Sequence, residues 1–595
     1  MRLKVLLSKV KLGILVWVIN LHSSEQLSTS QRSDIEHFIS DLMTCKNNPG
    51  MSVSVIHGDD SLVDGYGVTN LRTNRKVDNR TIFCIGSITK GFTAAVLGMV
   101  LQKSNRWSWD TSISEILGHE FKLSDDFRTR YLTIKDILAH RSGVPGYFGG
   151  LLTGYTIDRK TLVSRLRYMS PTHHVHSKFI YNNHMYMLAG YVAEKIAGKT
   201  WEELVQEEIF NKLGMTSSTF VKDLGSRADI AKSHVSINGK LVEIDQKINS
   251  MVYPAGPAGS ICTNSEDMTK WLRFQLNKSL LPSGERLMNQ TMFDAMHTPQ
   301  MPTPLTLGKK ILKQPVFPIA EGRFAYDLGW GSGTYRDYHI LLHSGELSGY
   351  MSSIWLIPDE NIGIFTSTNG PVRLDTWDGL RVIHHYIADV LLGLEPWLNS
   401  TSACKFPDPW LSEFRRKSGA DGTDDARKKR DVTYLPHARP MEDYVGTYGH
   451  LAFGNISIRL NEQDGKLHLY HGRFGNATMK KTSNFGEFDM KFVGDLMFVS
   501  VADGWKHTFK IRFSSTDGKK VDRLYAGFIE GSSPPEFQRD LHWLNSDQPL
   551  QSNLNTLYGP CQCCRNSGSN AQREYFFSIS IYLLISFAVI ILYCQ

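Results

Sequence analysis

The residues best suited to chemistry are Ser87 and Lys90, three apart in Cys84-Ile85-Gly86-Ser87-Ile88-Thr89-Lys90-Gly91-Phe92 at the mouth of an apolar stretch. On a helix, residues three apart are neighbours. A serine hydroxyl is a weak nucleophile until a base takes its proton, and a partly desolvated lysine amine can take it. If Ser87 opens the helix, its own N–H falls among the unpaired donors of the first turn, where developing negative charge is stabilised. One helix start then supplies nucleophile, base and half of an oxyanion hole. The same pair also fits a plain serine cap followed by a solvated lysine.

A second cluster is Tyr181-Asn182-Asn183, just ahead of the apolar run from Met185. A Tyr and an Asn two apart on a loop entering a helix can face one cleft, the Tyr181 phenol sharing a proton with Lys90 and the Asn183 carboxamide binding an acyl amide. The third is His343-Ser344-Gly345-Glu346, followed by strand-like runs at 352–357 and 362–368. A strand beside the nucleophile offers a backbone N–H as second oxyanion donor, and Gly345 admits close approach.

The elements that must position these groups follow from periodicity. Helical spacing of Ile35, Phe38, Ile39 and Leu42 predicts a helix over 33–43, with Ser33 and Glu36 as its capping box. Residues 51–56 and 62–68 read as an antiparallel hairpin. The Ser87 helix is expected to run to Gln102, with further helices over 132–140, 200–213, 267–276 and 374–392. A charged connector, 396–440, is read as a solvated helix in preference to a basic cleavage site at Arg427-Lys428-Lys429-Arg430. Short alternating segments from 444 to 537, Met497-Phe498-Val499-Ser500-Val501 among them, predict an all-β module over 441–545.

In the order and spacing of these motifs, residues 30–395 resemble the serine β-lactamase and penicillin-binding-protein-like superfamily, in its class C and esterase branch. The resemblance rests on Ser87-x-x-Lys90, Tyr181-x-Asn183 and His343-x-Gly345, together with Leu138-Ala139-His140-Arg141-Ser142-Gly143-Val144-Pro145 and Pro257-Ala258-Gly259-Ser260 leading to Asp267. It implies an α+β fold: an antiparallel sheet flanked by the N- and C-terminal helices plus a helical subdomain, followed by a small all-β domain. It implies Ser87 as acylated nucleophile, Lys90 and Tyr181 as the proton-transfer pair and Asn183 as ligand of the substrate amide. The N–H groups of Ser87 and Glu346 would form the oxyanion hole, and neither cofactor nor metal is implied. Where lactam-specialised members commonly carry Lys-Thr-Gly, this chain has His343-Ser344-Gly345, so a fixed positive charge is replaced by one expected to titrate. The resemblance therefore points to hydrolysis of an ester, an amide or a small peptide rather than to antibiotic resistance. A rival expectation is a glycoprotein that keeps the hydrolase shell for binding or matrix structure. Retention of every motif residue favours the enzyme. In the implied fold the first and last helices lie side by side, which brings Cys45 and Cys404, 404 − 45 = 359 positions apart, toward disulfide reach. Closing so long a loop would stabilise the domain by on the order of 3 to 5 kcal/mol in the chain-entropy account.

The 595 residues, 41% of them hydrophobic, suggest two or three domains with a large core. The formal charge of +7 is spread over 66 basic and 59 acidic residues and does not read as a nucleic-acid surface. A basic start and an apolar run at 12–21 predict a signal peptide over 1–24. Sequons at Asn79, Asn277, Asn289, Asn399, Asn455 and Asn476 fit a secretory route to the cell surface or beyond. Residues 576–594 are long and apolar enough to cross a bilayer. The nearby Arg573 lies on the wrong side for a retained span, and the small residues at 566–571 with a polar spacer favour a glycolipid-anchor signal. Cys84 and Cys262 read as small buried hydrophobes. Cys561, Cys563 and Cys564, in the polar tail 546–575, have no legible pairing, and Cys-x-Cys-Cys without a nearby His is a weak metal signal. Oligomeric state is not legible.

Overall fold

Helix α1 (Thr29–Lys46) begins one turn earlier than the spacing of its apolar residues predicts. Ser28 accepts from the Gln31 N–H and the Gln31 side chain accepts from the Ser28 N–H, so the capping box lies there, and Ser33 and Glu36 sit inside the helix. In this computed structural model the described residues are 27–541, except 157, 226, 305–310, 313, 373, 412–434, 436 and 504–506. The segments read as signal peptide (1–24) and apolar anchor (576–594), the basic run 427–430, most of the connector, and Cys561, Cys563 and Cys564 lie outside the described residues.

Strands β1 (Gly50–His57) and β2 (Asp60–Gly67) form the early hairpin. Strand β3 (Phe83–Cys84) leads into helix α2 (Thr89–Ser104), and helix α3 (Asn183–Ala197) packs along α2. Every residue of α2 from Thr89 to Leu101 is buried, as expected of a helix that is apolar all round. Strand β4 (Ile261–Thr263) then pairs with β3, Cys84 facing Cys262. These two cysteines form a disulfide, Cα atoms 3.8 Å apart, which corrects their reading as free buried thiols.

After helix α4 (Ser265–Leu276) come strands β5 (Glu321–Tyr326), β6 (Gly331–Tyr335), β7 (Tyr338–Leu347), β8 (Tyr350–Ile357) and β9 (Ile362–Thr368), then helix α5 (Leu374–Leu391). The sheet runs β2-β1-β9-β8-β7-β6-β5, each neighbouring pair antiparallel, with Met301–Pro302 at its far edge. All residues of β1, β8 and β9 are buried, so the middle of the sheet is covered on both faces. Helix α4 packs on β1 and β9, and α5 on β8 and β9. Helix α1 lies against α5, with the Phe38 ring stacked on Tyr386 at a centroid distance of 3.9 Å. Beyond α5, helix Ser400–Lys405 returns to α1, where Cys404 is joined to Cys45 with Cα atoms 5.9 Å apart. This is the expected α+β arrangement.

The last described part is an antiparallel barrel of eight strands between Gly446 and Arg539, closed by pairing of Tyr448 with Arg539 and Gly449 with Gln538. Tyr444, Tyr448, Phe488 and Phe513 fill one region of its interior, with neighbouring ring centroids 5.0 to 5.7 Å apart. One expectation fails here. The run 497–501, read as a strand, makes the short helix Phe498–Val501, because three consecutive buried residues, Phe498, Val499 and Ser500, suit a helical turn packed on all sides rather than an alternating strand.

The barrel rests on two segments of the hydrolase-like part. Along 147–155, Ile529 O accepts from the Gly149 N–H, Thr153 O accepts from the Phe474 N–H, and Thr153 Oγ1 lies 2.7 Å from His471 Nδ1. A Cβ at Gly149 would fall 1.8 Å from Phe528 O, so only glycine permits this approach. At the hairpin 234–243, the Asp503 carboxylate accepts from Ser236 Oγ at 2.6 Å, Asn238 N at 2.9 Å and Gly239 N at 2.8 Å. Lys247 pairs with Asp495 at 3.2 Å. Among the described residues no helix is long and apolar enough to cross a membrane.

Candidate active site

The turn that presents Ser87 is short and unusual in backbone. Gly86 has φ +49°, and residues Gly86–Ile88 form a single 3-10 turn before α2 begins. A Cβ at Gly86 would meet Glu346 N at 2.4 Å, and a Cβ at Gly345 would meet Ile85 O at 1.8 Å. Two facing glycines therefore let strand β7 press its backbone against the turn, which sets Glu346 beside Ser87.

Lys90 follows one turn into α2 and is wholly buried. Its Nζ lies 2.9 Å from Ser87 Oγ and donates to Ala258 O at 2.8 Å. The Tyr181 hydroxyl reaches the same Ser87 Oγ at 2.8 Å, and Lys90 Nζ stands 4.8 Å from the Tyr181 ring centroid. Asn182 caps α3 through the Met185 N–H, which turns Tyr181 and Asn183 to the cleft from either side of the cap. Asn183 is buried, and its Oδ1 has no hydrogen-bond partner among the described residues. Ser87, Asn183 and Glu346 line one cleft with Leu151, Met251, Val252, Ala255, Ala258, Gly259 and Leu347. The structure thus brings Ser87, Lys90, Tyr181, Asn183, Gly345 and Glu346 together.

His343 is held by contacts of its own. Its Nδ1 lies 2.6 Å from Ser344 O and its Nε2 2.9 Å from the Tyr326 hydroxyl, so the ring donates to the carbonyl and accepts from the phenol. Burial, then the neighbouring Lys90 charge, pushes His343 down to about 3. The expectation that it titrates near neutral pH is thereby corrected: in the dry interior the imidazole is neutral. Ser344 is exposed on β7, and its carbonyl takes the His343 Nδ1 contact.

Sequence reasoning missed the aromatic and histidine layer behind Tyr181. His140 is fully buried, accepts from the Asn182 N–H at 3.0 Å and lies 4.3 Å from the Tyr181 ring and 4.7 Å from that of Tyr326. Burial, followed by Lys90, holds its pKa well below the usual range. Tyr186 donates to Leu138 O at 2.7 Å, and burial holds its phenol well above the ordinary value. His140 and Ala258 lie inside motifs that the sequence displays, so a signal existed for them; Tyr326 carried none. Among the described residues no cluster of three His, Cys, Asp or Glu side chains is arranged to hold a metal.

Comparison with known proteins places this geometry. A family model described as Beta-lactamase matches residues 35–384, 350 of the 595 positions. An unguisins hydrolase of Aspergillus violaceofuscus is 27% identical over 466 residues, spanning 74% of this chain and 79% of that protein. Gigasin-6 of Magallana gigas is 26% identical over 42% of this chain and 85% of its own length. The octameric penicillin-binding protein homologue from Pyrococcus abyssi superposes with a TM-score of 0.51 at 21% identity, over 83% of this chain and 97% of that one, and so shares its fold. With the family model spanning more than half of its length, this chain belongs to the beta-lactamase family.

Proposed function

We propose that the protein is a serine hydrolase that works through an acyl-enzyme on an ester, an amide or a small peptide. The observation that carries this reading is the convergence of Lys90 Nζ and the Tyr181 hydroxyl on Ser87 Oγ, at 2.9 and 2.8 Å. At those distances either contact also serves with Ser87 donating, since a hydroxyl both donates and accepts. Ser87 attacks the substrate carbonyl while the Lys90–Tyr181 pair takes its proton. The oxyanion is met by the N–H groups of Ser87 and Glu346, and the orphan Asn183 Oδ1 accepts from the N–H of the acyl part. The pair returns the proton to the leaving atom, and water then attacks the ester on Ser87. Membership of a family with a named hydrolase relative supports the reaction class.

We also propose a secreted or cell-surface protein, glycolipid-anchored in preference to single-pass. Supporting this are the two disulfides, which suit an oxidising compartment, and the exposure of Asn79, Asn277, Asn289, Asn399, Asn455 and Asn476. The test of the enzymatic reading is labelling of the purified ectodomain with an acylating active-site probe, with and without Ser87→Ala. Labelling lost in the variant is expected. Labelling independent of Ser87, or none in folded wild-type protein, would favour the binding or matrix role.

A further inference from the structure

Two segments far apart in sequence run side by side past the nucleophile. Lys90 Nζ donates to Ala258 O at 2.8 Å, Thr93 Oγ1 to Pro257 O at 2.7 Å, Ile261 N to Thr89 Oγ1 at 3.1 Å and Ile85 N to Ile261 O at 3.0 Å. Residues 84–93 are thus tied to 257–262 along their length, and the Cys84–Cys262 disulfide closes the end of the series. Every residue that makes these ties is buried, both cysteines completely. The strands are too short to hold this register alone: β3 has two residues, β4 three, and Thr219–Phe220 on the far side of β4 two. A sheet of that size has little stability of its own. Two bonded sulfurs stand closer than two thiols can, so losing the bond moves both side chains in an interior packed too densely to absorb the shift.

Ser87 follows Cys84 by 87 − 84 = 3 positions, and Ala258 precedes Cys262 by 262 − 258 = 4. The bridge therefore joins the turn that carries the nucleophile to the segment that carries the acceptor of Lys90. A carbonyl that takes an N–H from Lys90 limits how the amine turns, and so keeps its lone pair toward Ser87 Oγ. We propose that the Cys84–Cys262 bridge is a positioning element: it fixes Ala258 O against Lys90, and through Lys90 the amine against Ser87, so acylation depends on it while substrate binding does not. This inference rests on the hydrolase reading above. The outer bridge, Cys45–Cys404, ties α1 to the helix Ser400–Lys405 and carries none of the four bonds of the series. In the chain-entropy account, closing loops of 178 and 359 positions stabilises to nearly the same extent, the longer slightly more. The two bridges therefore separate stability from positioning.

The experiment measures stopped-flow acylation by p-nitrophenyl acetate in the purified wild-type protein, in an inner variant (Cys84→Ala with Cys262→Ala) and in an outer one (Cys45→Ala with Cys404→Ala). The inner variant should lose about tenfold or more in the saturating acylation rate, toward the roughly hundredfold that about 1 Å of misplacement costs, with its half-saturating concentration within about twofold of the wild type. The outer variant should melt at least as early, yet acylate within about twofold of the wild-type rate. Should the inner variant not fold, Thr89→Val keeps both cysteines, removes the acceptor of the Ile261 N–H, and should show the same split at roughly three- to tenfold, the scale of one hydrogen bond. Amide exchange over 85–93 and 257–262 reads the positioning without turnover, and should quicken in the inner and Thr89→Val variants but not in the outer one. Acylation unchanged in the inner variant or in Thr89→Val, or reduced equally in inner and outer variants, would overturn the proposal. Quickened exchange in a protein with no Ser87-dependent reaction would remove the hydrolase reading and leave the bridge as the element that holds Lys90. A Ser87-dependent reaction at wild-type rate in the inner variant would do the reverse, and neither reaction nor quickened exchange would overturn both.

Discussion

The two walls of the cleft are built on different principles. The wall of Ser87, Lys90 and Tyr181 is held by short polar contacts inside one domain, down to two facing glycines that fix the turn against β7. The opposite wall, Leu151, Met251, Val252 and Ala255, is apolar, and the segments that carry it or adjoin it are those the barrel grips, at Gly149, Thr153, Ser236 and Lys247. The first wall has the geometry for bond-making, whereas the second shapes what fits. A change in the first should appear in kcat, and a change in the bracing of the second in KM.

The sharpest way to break that contrast is Lys90→Met. Acyl-enzyme formation should fall by roughly a thousandfold or more, because the hydroxyl loses its proton acceptor, while the circular dichroism spectrum stays that of the wild type. Turnover at the wild-type rate would take Lys90 out of the proton path. Tyr181→Phe should cost about a hundredfold in acylation, the ordinary scale for one general acid or base. If stopped-flow acylation is unaffected, Tyr181 is a packing residue and the first wall is smaller than drawn.

A third expectation concerns acid. Burial pushes His343 and His384 down to about 3 and His184, His297, His450 and His471 down to about 4, against about 6.5 in an unfolded chain. Between those limits the unfolded chain binds protons that the folded one does not. Stability is then complete above about pH 6.5 and declines as pH falls toward the folded values. Melting temperature should drop steadily from pH 7 to pH 5, and a flat profile would mean that these rings titrate normally. Because His471 meets Thr153 across the barrel contact and its ring stays neutral in the folded protein until pH nears 4, KM should hold through this interval in the protein that remains folded, and rise only as pH approaches 4. The smallest effect is expected for Asp503→Ala, which removes the carboxylate that gathers Ser236, Asn238 and Gly239. KM should increase by about two- to fivefold with little change in kcat, on the scale of one or two hydrogen bonds at a partly exposed site. An equal loss in kcat would show that the barrel reaches the polar wall as well.

Much of the polar wall was legible because its signal is local. Ser87 and Lys90 share one helix turn, and Tyr181 and Asn183 flank one cap. The apolar wall was not, since Leu151 and Met251 look like any core residues until the barrel is seen to brace their segments. Register explains the missed disulfide: Cys84 faces Cys262 only because β3 and β4 pair in that alignment, 178 positions apart, and a sequence does not display register between distant strands. The pairing of Cys45 with Cys404 was reached through the helices that the family resemblance sets side by side. His343 shows a third kind of gap: its residue type suggests a charge, but burial beside Lys90 removes it. The early hairpin and the all-β module were within reach of alternation and turn spacing, and the antiparallel sheet came with the family resemblance, whereas a short apolar run such as 497–501 does not choose between strand and helix by itself.

The bridge from Cys45 to Cys404 makes the beta-lactamase-family domain a covalent ring, with the Cys84–Cys262 bridge nested inside it. Ser87, Lys90, Tyr181, Asn183 and His343 all lie on that ring, while the barrel hangs outside it from the connector. A protease that cuts one exposed loop between the two outer cysteines therefore leaves a single molecule, and the nick appears as two fragments only after reduction. A cut in the connector has the opposite character: it severs the barrel from the ring, and among the described residues the contacts at 147–155, 234–243 and Lys247 are then left to hold the second wall of the cleft in place.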